Sequence, residues 1–308
     1  MMPTPTSSLG SSTTLLFNVG AGVAIVAILA SFTLASRLAY TSALAPQDLM
    51  AIRFATSGLL LLPFALRRGT SALLTLDSLK LALTGGIGFA TLAFAGLALV
   101  PASHGGALLH GALPFFTFVI GVVLGRTRAE GRRIAGAGLV LVALGLVGWD
   151  TLRGTGSRQL LGDALLLGAS ATWSAFGILA ARVKMDAIST AATIGALSVL
   201  VYLPFYLVFL DSQLGEAPVS AILLQVAIQG VLVGTVSVFA YTWAISRLGA
   251  IGAAVATSTV PAVTALLAIP LLAEYPSPVV TVALVILAAG SLLVLSSRRR
   301  EPSIRNAS

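Results

Sequence analysis

The charged residues of this chain are few, and the intervals between them are long. Its 308 residues include 18 Lys and Arg and 10 Asp and Glu. A charged side chain is costly in hydrocarbon, and a helix needs about 20 apolar residues to cross a bilayer. The uncharged intervals are therefore candidate membrane segments. They cover residues 1–36, 54–66, 81–125, 134–149, 164–181, 187–210, 217–246, 248–273 and 275–297.

The composition supports a protein that lies in a membrane. Hydrophobic residues make up 57% of the chain and charged residues 9%, and there is no cysteine. Soluble globular proteins are about 45–50% apolar and roughly 25% charged. These values exclude a soluble domain, a disordered chain and a disulfide-stapled secreted domain. The continuous apolar runs also lack the alternation of a membrane β-barrel, so we predict an all-α polytopic membrane protein.

The nine intervals predict ten spanning helices. The interval 81–125 is about twice as long as one span requires, and Pro101 with the glycines after it divides that interval in two. The intervals 54–66 and 134–149 are shorter than one span, so a flanking arginine such as Arg53 is expected to snorkel. The predicted helices are 15–38, 47–67, 80–100, 103–125, 132–150, 161–182, 187–210, 219–246, 250–272 and 278–297.

The basic residues predict the orientation of these helices. If the N-terminus is cytoplasmic, fourteen of the eighteen Lys and Arg residues fall on the cytoplasmic side, which the positive-inside rule favours. Both termini are therefore expected in the cytoplasm. The first 14 residues contain no Lys or Arg, so the first span is expected to be an uncleaved helix. This topology, with contact to anionic lipid, accounts for the net charge of +8 without a nucleic-acid partner.

The chain is also predicted to consist of two inverted repeats. Five helices precede residue 150 and five follow it, so the two halves cross the membrane in opposite directions. A shift of 147 residues places Pro114 on Pro261, and a shift of 144 places Phe32 on Phe176. Such a pair of halves has two near-equivalent packings, as alternating access requires. The predicted organisation is a cytoplasmic tail at 1–14, repeats at 15–150 and 151–297, and a basic cytoplasmic tail at 298–308.

Several short motifs resemble one known family. Ten short helices in five-plus-five inverted repeats, with short loops, are similar to the drug/metabolite transporter superfamily and to its EamA branch. The matching residues are Arg53-Phe54 in the second helix, Pro114 and Pro261 in the fourth and ninth, Trp173-Ser174-Ala175-Phe176 in the sixth, and Leu272-Ala273-Glu274 at the end of the ninth. The resemblance extends over residues 15–297.

Two positions depart from the pattern of that family. Leu124-Gly125-Arg126 stands where a glutamate usually follows the fourth helix, and Leu29 stands where an aromatic residue is common. The resemblance implies a transporter of a small organic solute. We expect neither an enzymatic activity nor a cofactor. It leaves the solute open, because the family carries amino acids, vitamins, sugars and drugs.

Polar and aromatic residues at mid-depth are the candidates for a solute pathway, because polar groups in lipid need a partner or a wet cavity. His110 either lines the pathway or bonds a neighbouring helix, and Trp173 either stacks on a solute or packs. The proposed lining residues are Ser31, Thr91, Phe94, His110, Trp173, Ser174, Gln229, Tyr241, Thr257 and Ser258. Pro114 and Pro261 are expected to kink their helices.

Arg53 has three possible roles, which we rank in order. It could snorkel to the outer surface, pair with Asp48, or meet an anionic group of the substrate. No Asp or Glu is predicted at mid-depth, so His110 is the deep group that titrates near neutrality. His104 is expected at the interface near the outer end of the fourth helix. The spacing of His104 and His110 does not suit a metal site.

These features favour a secondary transporter in a lipid bilayer. We expect export of an amino acid or related metabolite; import of a vitamin or other ring-containing nutrient is the alternative, and a channel is the alternative of another class. No nucleophile or metal-ligand pattern indicates an enzyme. The predicted state is a monomer or homodimer. Sixteen Arg against two Lys are consistent with a GC-rich genome and hence with a bacterial cell inner membrane.

Overall fold

A computed structural model describes residues 9–67, 69, 73–154, 156–183, 185–237, 239–240, 243 and 256–296. In the first helix, side chains are described for Phe17 and from Val19 onward. The described residues form ten helices in chain order. These are α1 Leu9–Tyr40, α2 Pro46–Arg67, α3 Leu76–Leu97, α4 Ala102–Val123, α5 Gly131–Gly154, α6 Ser157–Val183, α7 Ala187–Phe209, α8 Val219–Val236, α9 Val260–Leu272 and α10 Pro278–Leu295.

The predicted fold class is confirmed. Nine of the described helices are long and apolar enough to cross a membrane, and α9 is a shorter apolar helix. The parts of the eighth and ninth predicted spans at 238, 241–242, 244–246 and 250–255 lie outside the described residues. The remaining predicted spans agree with the helices to within a few residues at most ends, because each charged or helix-breaking segment divides two apolar runs.

Local sequence signals explain where several helices begin and end. The Asp186 carboxylate caps α7 by accepting a hydrogen bond from the Ser189 amide at 2.9 Å, and the Ser277 hydroxyl caps α10 in the same way. Each cap satisfies an amide that has no partner within the helix. At the other end of α9, Ala273 adopts a left-handed conformation, with φ of 54°, which stops the helix.

The two halves of the chain are inverted repeats whose equivalent helices pack on each other. Helix α2 packs on α7, α4 on α9, and α5 on α10. The remaining pairs are also related by the repeat, since α3 packs on α6 and its counterpart α8 packs on α1. One face holds the ends of the odd-numbered helices and the beginnings of the even-numbered ones. We call it the Tyr40 face.

Glycines allow these helices to cross closely. A Cβ atom on Gly58 of α2 would lie 3.1 Å from the Gly195 carbonyl oxygen of α7, and one on Gly290 of α10 would lie 2.9 Å from the Gly136 oxygen of α5. The glycines of α5 do not all act alike. No described atom outside the local helix lies within 4 Å of a Cβ built on Gly138 or Gly145, so these two glycines make no close helix contact with the residues that the structure describes.

Candidate functional site

The ring of Phe32 on α1 is the hub of a cluster at the centre of the molecule. It is 2% exposed and lies 6.0 Å from the Phe89 ring and 6.4 Å from the His110 ring between centroids. The Arg53 guanidinium carbon lies 5.5 Å from its centroid. The Gln229 side chain donates to the Phe32 carbonyl at 3.2 Å. We call these five residues the Phe32 cluster.

The Phe32 cluster lies near the middle of the bilayer. Phe32 is eight residues before Tyr40, and His110 is eight residues after Ala102, the first residue of α4. Gln229 is ten residues after Val219. At 1.5 Å per residue these positions are about 10–15 Å from the Tyr40 face, and the hydrocarbon core is about 30 Å thick. Its polar groups therefore lie deep within the membrane-spanning part of the protein.

Arg53 is a buried cation within this cluster. Its side chain is 9% exposed, and Nη1 has no hydrogen-bond partner among the residues that the structure describes. The predicted snorkelling is therefore wrong, and so is the predicted pair with Asp48. The Asp48 carboxylate instead accepts hydrogen bonds from the Tyr206 hydroxyl at 2.5 Å and from the Ala45 amide at 2.9 Å.

The contact with Phe32 compensates only part of the cost of burying Arg53. A cation over an aromatic ring contributes about 0.5–2 kcal/mol. An arginine at the centre of a membrane helix costs about 2.5–3.5 kcal/mol even by the lower scales. Within the described residues, no Asp or Glu oxygen lies within 4.0 Å of the guanidinium. The cluster therefore contains an incompletely compensated positive charge.

His110 contributes a second polar atom that is buried without a described partner. Its Nδ1 makes no hydrogen bond to any described residue, and its ring meets Phe32 nearly edge-on, at 81°. The residue lies in a π-helical segment, Gly106–Gly111. Pro114 then occupies the first turn of the next α-helical segment, where a proline needs no amide partner. The departure from α-helical geometry, predicted as a kink at Pro114, thus lies just before this proline, in the π-helical segment.

Gln229 presents an acceptor to the same cluster. Its Nε2 donates to the Phe32 carbonyl and, at 2.9 Å, to the Ser36 hydroxyl. Its Oε1 has no hydrogen-bond partner among the described residues. Gln225, one turn earlier, is arranged similarly, with its Nε2 on the Ala35 carbonyl at 2.9 Å and its Oε1 without a described partner. Helix α8 therefore turns two amide groups toward α1.

Three helices depart from α-helical geometry beside the cluster. The π-helical segments are Leu83–Ile87 in α3, Gly106–Gly111 in α4 and Val226–Val236 in α8. Phe89 follows the first of them, and the other two contain His110 and Gln229. A π-turn changes which side chains face inward and is often found at functional sites. Its coincidence with the cluster in three helices points to a site rather than to ordinary core packing.

An aromatic row extends from the cluster into the second repeat. The row consists of Phe32, Phe89, Trp173 and Phe176. Trp173 is half-buried and lies 4.6 Å from Phe89 and 5.0 Å from Phe176 between ring centroids. The first and last rings, Phe32 and Phe176, are the pair that the repeat relates. Trp173 therefore connects equivalent positions of the two halves.

Several predicted lining residues use their polar groups within the protein. The Ser31 hydroxyl donates to the Ile28 carbonyl at 2.7 Å, and the Thr91 hydroxyl donates to the Ile87 carbonyl at 2.8 Å. The Ser174 hydroxyl donates across helices to the Leu113 carbonyl at 3.3 Å, as a close helix contact would predict. Phe94 is fully buried against Phe32, with ring centroids 5.3 Å apart.

The remaining predicted positions lie on or beside α9. Ser258 and Pro261 are buried, and Thr257 is half-buried. Pro261 is in the first turn of α9 and contacts α4, because a Cβ on Gly106 would lie 3.2 Å from its Cα. Tyr241 lies outside the described residues.

Thr91 lines a separate apolar cavity. The cavity has a volume of about 370 Å³ and lies among α2, α3 and α7, with Met50, Val201 and Tyr202 among its walls. None of the polar atoms of the Phe32 cluster lines it. Thr91 is therefore separated from His110 and Gln229, although the sequence placed all three together as lining residues.

A buried polar network joins helix ends on one side of the Tyr40 face. His104 is buried, with Nδ1 3.0 Å from Asp163 and Nε2 3.5 Å from Asp150. The Thr151 hydroxyl donates to Asp163 at 2.5 Å, and the Ser277 hydroxyl donates to Asp150 at 2.6 Å. The network joins α4 and α5 of the first repeat to α6 and α10 of the second. His104 thus lies at its predicted helix end but packs inward, away from the interface.

An ion pair joins helix ends on another side of the same face. The Arg37 Nη2 atom of α1 lies 2.6 Å from the Glu274 carboxylate, just beyond α9. The other oxygen of Glu274 accepts from the Ala102 amide of α4 at 2.6 Å, and Arg37 also donates to the Leu97 carbonyl of α3. These contacts again join the two repeats at the Tyr40 face.

Sequence reasoning missed the central position of Phe32 and the role of Phe89. Phe32 was visible only as one half of a repeat-related pair. Phe89 lies two residues after a π-helical segment, and no sequence pattern marked that segment. The sequence signal for this π-helical segment was the Gly85-Gly86 pair in an otherwise apolar helix. In the structure, Gly86 has non-helical backbone angles, with φ of −116° and ψ of −107°.

Comparison with known proteins gives a family and a fold. A family model described as the EamA-like transporter family matches the chain twice, over residues 17–149 and 160–296. A solved crystal structure of a protein aligns over 92% of this chain and 96% of that chain, with 22% sequence identity and a TM-score of 0.59. This likeness shows the fold alone. A search of curated proteins finds no match.

Proposed function

Because the chain belongs to the EamA-like transporter family, we propose that it is a secondary transporter that moves a small organic solute past the Phe32 cluster by alternating access. Membership of the family makes it a multi-pass membrane transporter of small solutes. The further elements of the proposal are the site, the mechanism, the direction and the class of solute.

The observation that carries the proposed site is the set of buried polar atoms around Phe32. Arg53 Nη1, His110 Nδ1 and Gln229 Oε1 are buried near mid-depth without described partners. A buried polar group without a partner is costly, and such groups within a membrane mark solute pathways. A solute that bonds to them offsets this cost. The aromatic row supplies an apolar surface for the rest of the solute.

The inverted repeats support alternating access. Equivalent helices of the two halves pack on each other, so an exchange of their roles produces a second conformation of similar packing. In the present conformation the His104 network and the Arg37–Glu274 pair close the Tyr40 face. These polar contacts join the two repeats and can be broken and remade, unlike a continuous apolar core. We propose that these contacts open when the site becomes accessible from the Tyr40 face.

We propose that the protein exports an amino acid or a related metabolite across a bacterial inner membrane. The distribution of basic residues supports cytoplasmic termini, which places the Tyr40 face outside the cell. The combination of a cation, an amide acceptor and aromatic rings suits an amphipathic metabolite. The halves at 15–150 and 151–297 are proposed as the moving units, in a monomer or homodimer.

Counterflow in liposomes tests the proposed function. Purified protein is reconstituted with one unlabelled solute inside, from a panel of amino acids, vitamins and drugs, and uptake of the same labelled solute is measured. A transporter is expected to give transient accumulation that saturates with concentration. Flux that rises linearly for every solute would support a channel and contradict the proposal.

Replacement of Phe32 tests the proposed site. Phe32→Ala removes the ring that contacts both Arg53 and His110, and it is expected to lower counterflow at least tenfold. The matched control is Phe209→Ala, because Phe209 is 71% exposed on α7. Equal counterflow by the two variants, with equal amounts in the liposomes, would remove the Phe32 cluster from the pathway.

A further inference from the structure

Building on the proposed function, we infer that the transported solute is a monocarboxylate with an apolar or aromatic body, and that Arg53 binds its carboxylate. The cluster contains one arginine and no described acidic group within ion-pair distance of it. A single negative charge on the solute therefore completes the charge balance of the site. A second carboxylate would exceed the charge of Arg53, and a solute without a carboxylate would leave that charge uncompensated.

The acidic residues nearest to this region are already engaged elsewhere. Asp48 accepts from Tyr206 and Ala45, and Glu274 accepts from Arg37 and Ala102. Asp163 contacts His104 and Thr151. Each of these carboxylates lies at the Tyr40 face. A counter-ion for Arg53 within the described protein would require one of these networks to break, whereas an incoming carboxylate requires no such change.

The chemistry of arginine suits this role. Its guanidinium presents hydrogen-bond donors in a planar fork that matches the two oxygens of a carboxylate. Nη1 is the atom without a described partner, and Phe32 lies over the guanidinium. Arg53 is also buried, and an ion pair is stronger where little water surrounds it. Phe32 thus contributes both to the charge site and to the apolar surface.

The neighbouring groups define the rest of the solute. Gln229 Oε1 is an acceptor without a described partner, so it accepts an N–H or O–H of the solute. Phe89 and Trp173 continue the apolar surface toward the second repeat. The solute thus needs a carboxylate, an N–H or O–H donor and an apolar body. An amino acid with a large apolar side chain has all three features, and so does an aromatic acid with a ring N–H. A cationic drug without a carboxylate offers no negative group to pair with Arg53.

Matched acids and amides test the carboxylate. The probes are L-phenylalanine with L-phenylalaninamide, 3-phenylpropionate with 3-phenylpropionamide, and indole-3-acetate with indole-3-acetamide. Counterflow and thermal stabilisation of the purified full-length protein are measured for each pair. At least one acid is expected to give saturable counterflow and a rise in Tm, while its amide is at least tenfold weaker in both measurements.

Three variants assign the effect to Arg53. Arg53→Gln is expected to weaken binding of the acid roughly ten- to hundredfold, and Arg53→Lys is expected to be weaker than wild type because the fork is lost. The matched control is Arg153→Gln, since Arg153 lies over an aromatic ring too, 4.7 Å from the Trp149 centroid, but is exposed at the end of α5. The control is expected to retain wild-type affinity.

Arg53→Met keeps the measurement informative if a polar substitution at this site fails to fold. It removes the uncompensated charge and keeps an unbranched apolar chain, so the solute-free protein is expected to melt no lower than wild type. The same variant is expected to lose the rise in Tm with the acid. A lower Tm together with an unchanged response to the acid would show that Arg53 serves structure alone, and would overturn the inference.

The outcomes separate this inference from the proposed function. If saturable counterflow is found only for solutes without a carboxylate, or equally for acids and amides, the carboxylate role is overturned and the proposed transporter stands. If flux is linear for every solute, the proposed transporter is itself contradicted. If acids are preferred and Arg53→Gln retains that preference, another group binds the carboxylate and Arg53 is excluded.

Discussion

At the scale of single residues, burial determines which of the polar side chains can meet a solute. Ser31, Thr91 and Ser174 satisfy their hydroxyl groups with backbone carbonyls. Gln229 and His110 each keep a buried polar atom without a described partner. In a membrane a hydroxyl can bond to its own helix, but a long amide or an imidazole seldom can. The longer side chains are therefore the better candidates for recognition.

The replacement Gln229→Leu tests this distinction. It removes the unpaired Oε1 and the bonds from Nε2 to Phe32 and Ser36. Interhelical hydrogen bonds in membranes contribute only about 0.6 kcal/mol on average, and the Ser36 hydroxyl still donates to the Phe32 carbonyl. We therefore expect KM for the transported solute to rise at least tenfold with little change in Tm.

The matched control for this variant is Gln225→Leu, one turn nearer the Tyr40 face. It also loses an interhelical hydrogen bond, to the Ala35 carbonyl, but Gln225 is outside the Phe32 cluster. We expect a similar Tm and a KM close to wild type. Equal rises in KM for the two variants would mean that the substitutions act through the α1–α8 packing rather than through solute binding.

Residue roles were less predictable from the sequence than residue positions. The long uncharged intervals were enough to place Arg53 inside a helix. Its burial depends on the packing of α1 over it, and the fate of Asp48 depends on Tyr206, 158 positions away in the chain. Neither contact has a local signature. The same holds for Phe32, whose described neighbours in the cluster come from four other helices.

At the scale of elements, the ten helices could be predicted because each has its own apolar run and its own boundary. Charges and prolines divide the chain where lipid cannot accept them. The three π-helical segments were not predicted, since they arise where helices are pressed together at glycines. Sequence also failed to distinguish the inward glycines of α5 from the outward ones. The repeated glycine is visible in a sequence, whereas the helix that faces it is not.

The crossing of α5 and α10 gives a test of this difference. In Gly290→Val, the new Cβ would lie 2.9 Å from the Gly136 oxygen and 2.9 Å from the Val140 nitrogen. Both are backbone atoms, which cannot rotate away as a side chain can. Overpacking of this kind costs about 1–3 kcal/mol, so we expect a clear fall in Tm or failure to accumulate. Gly138→Val, whose Cβ meets open space, is expected to change stability by less than about 0.5 kcal/mol.

Fluorescence-detected size-exclusion after heating of detergent-solubilised protein measures both variants. A loss of stability by Gly138→Val equal to that of Gly290→Val would contradict the assignment of Gly136 and Gly290 as the close contact. It would instead indicate that the Gly138 side of α5 is covered, for example by a second copy of the chain.

At the scale of the whole molecule, the described ion pairs between the two repeats lie at the Tyr40 face. Among the residues that the structure describes, Arg53 is the cation buried in the interior. Under the proposed mechanism, a solute passes only when the polar contacts at this face open. The Arg37–Glu274 pair is the simplest to break, since its loss leaves the apolar core intact.

The absence of cysteine makes this closure measurable, because a single introduced thiol has no competitor. Ala35→Cys places a thiol on α1, buried and close to Gln225. In the closed conformation it is expected to react slowly with a membrane-impermeant maleimide applied from the Tyr40 face. Glu274→Gln in the same background removes the ion pair with Arg37, and we expect the labelling rate to rise at least fivefold.

Thr41→Cys, at an exposed position on the Tyr40 face, controls for access of the reagent and is expected to react rapidly in both backgrounds. Addition of transported solute should change the rate at Ala35→Cys and leave that at Thr41→Cys unaltered. Rapid labelling of Ala35→Cys before any substitution of Glu274 would show that the face is open in the resting protein. A rate that responds to neither Glu274→Gln nor solute would argue against movement of the two repeats at this face, and alternating access would lose its structural basis.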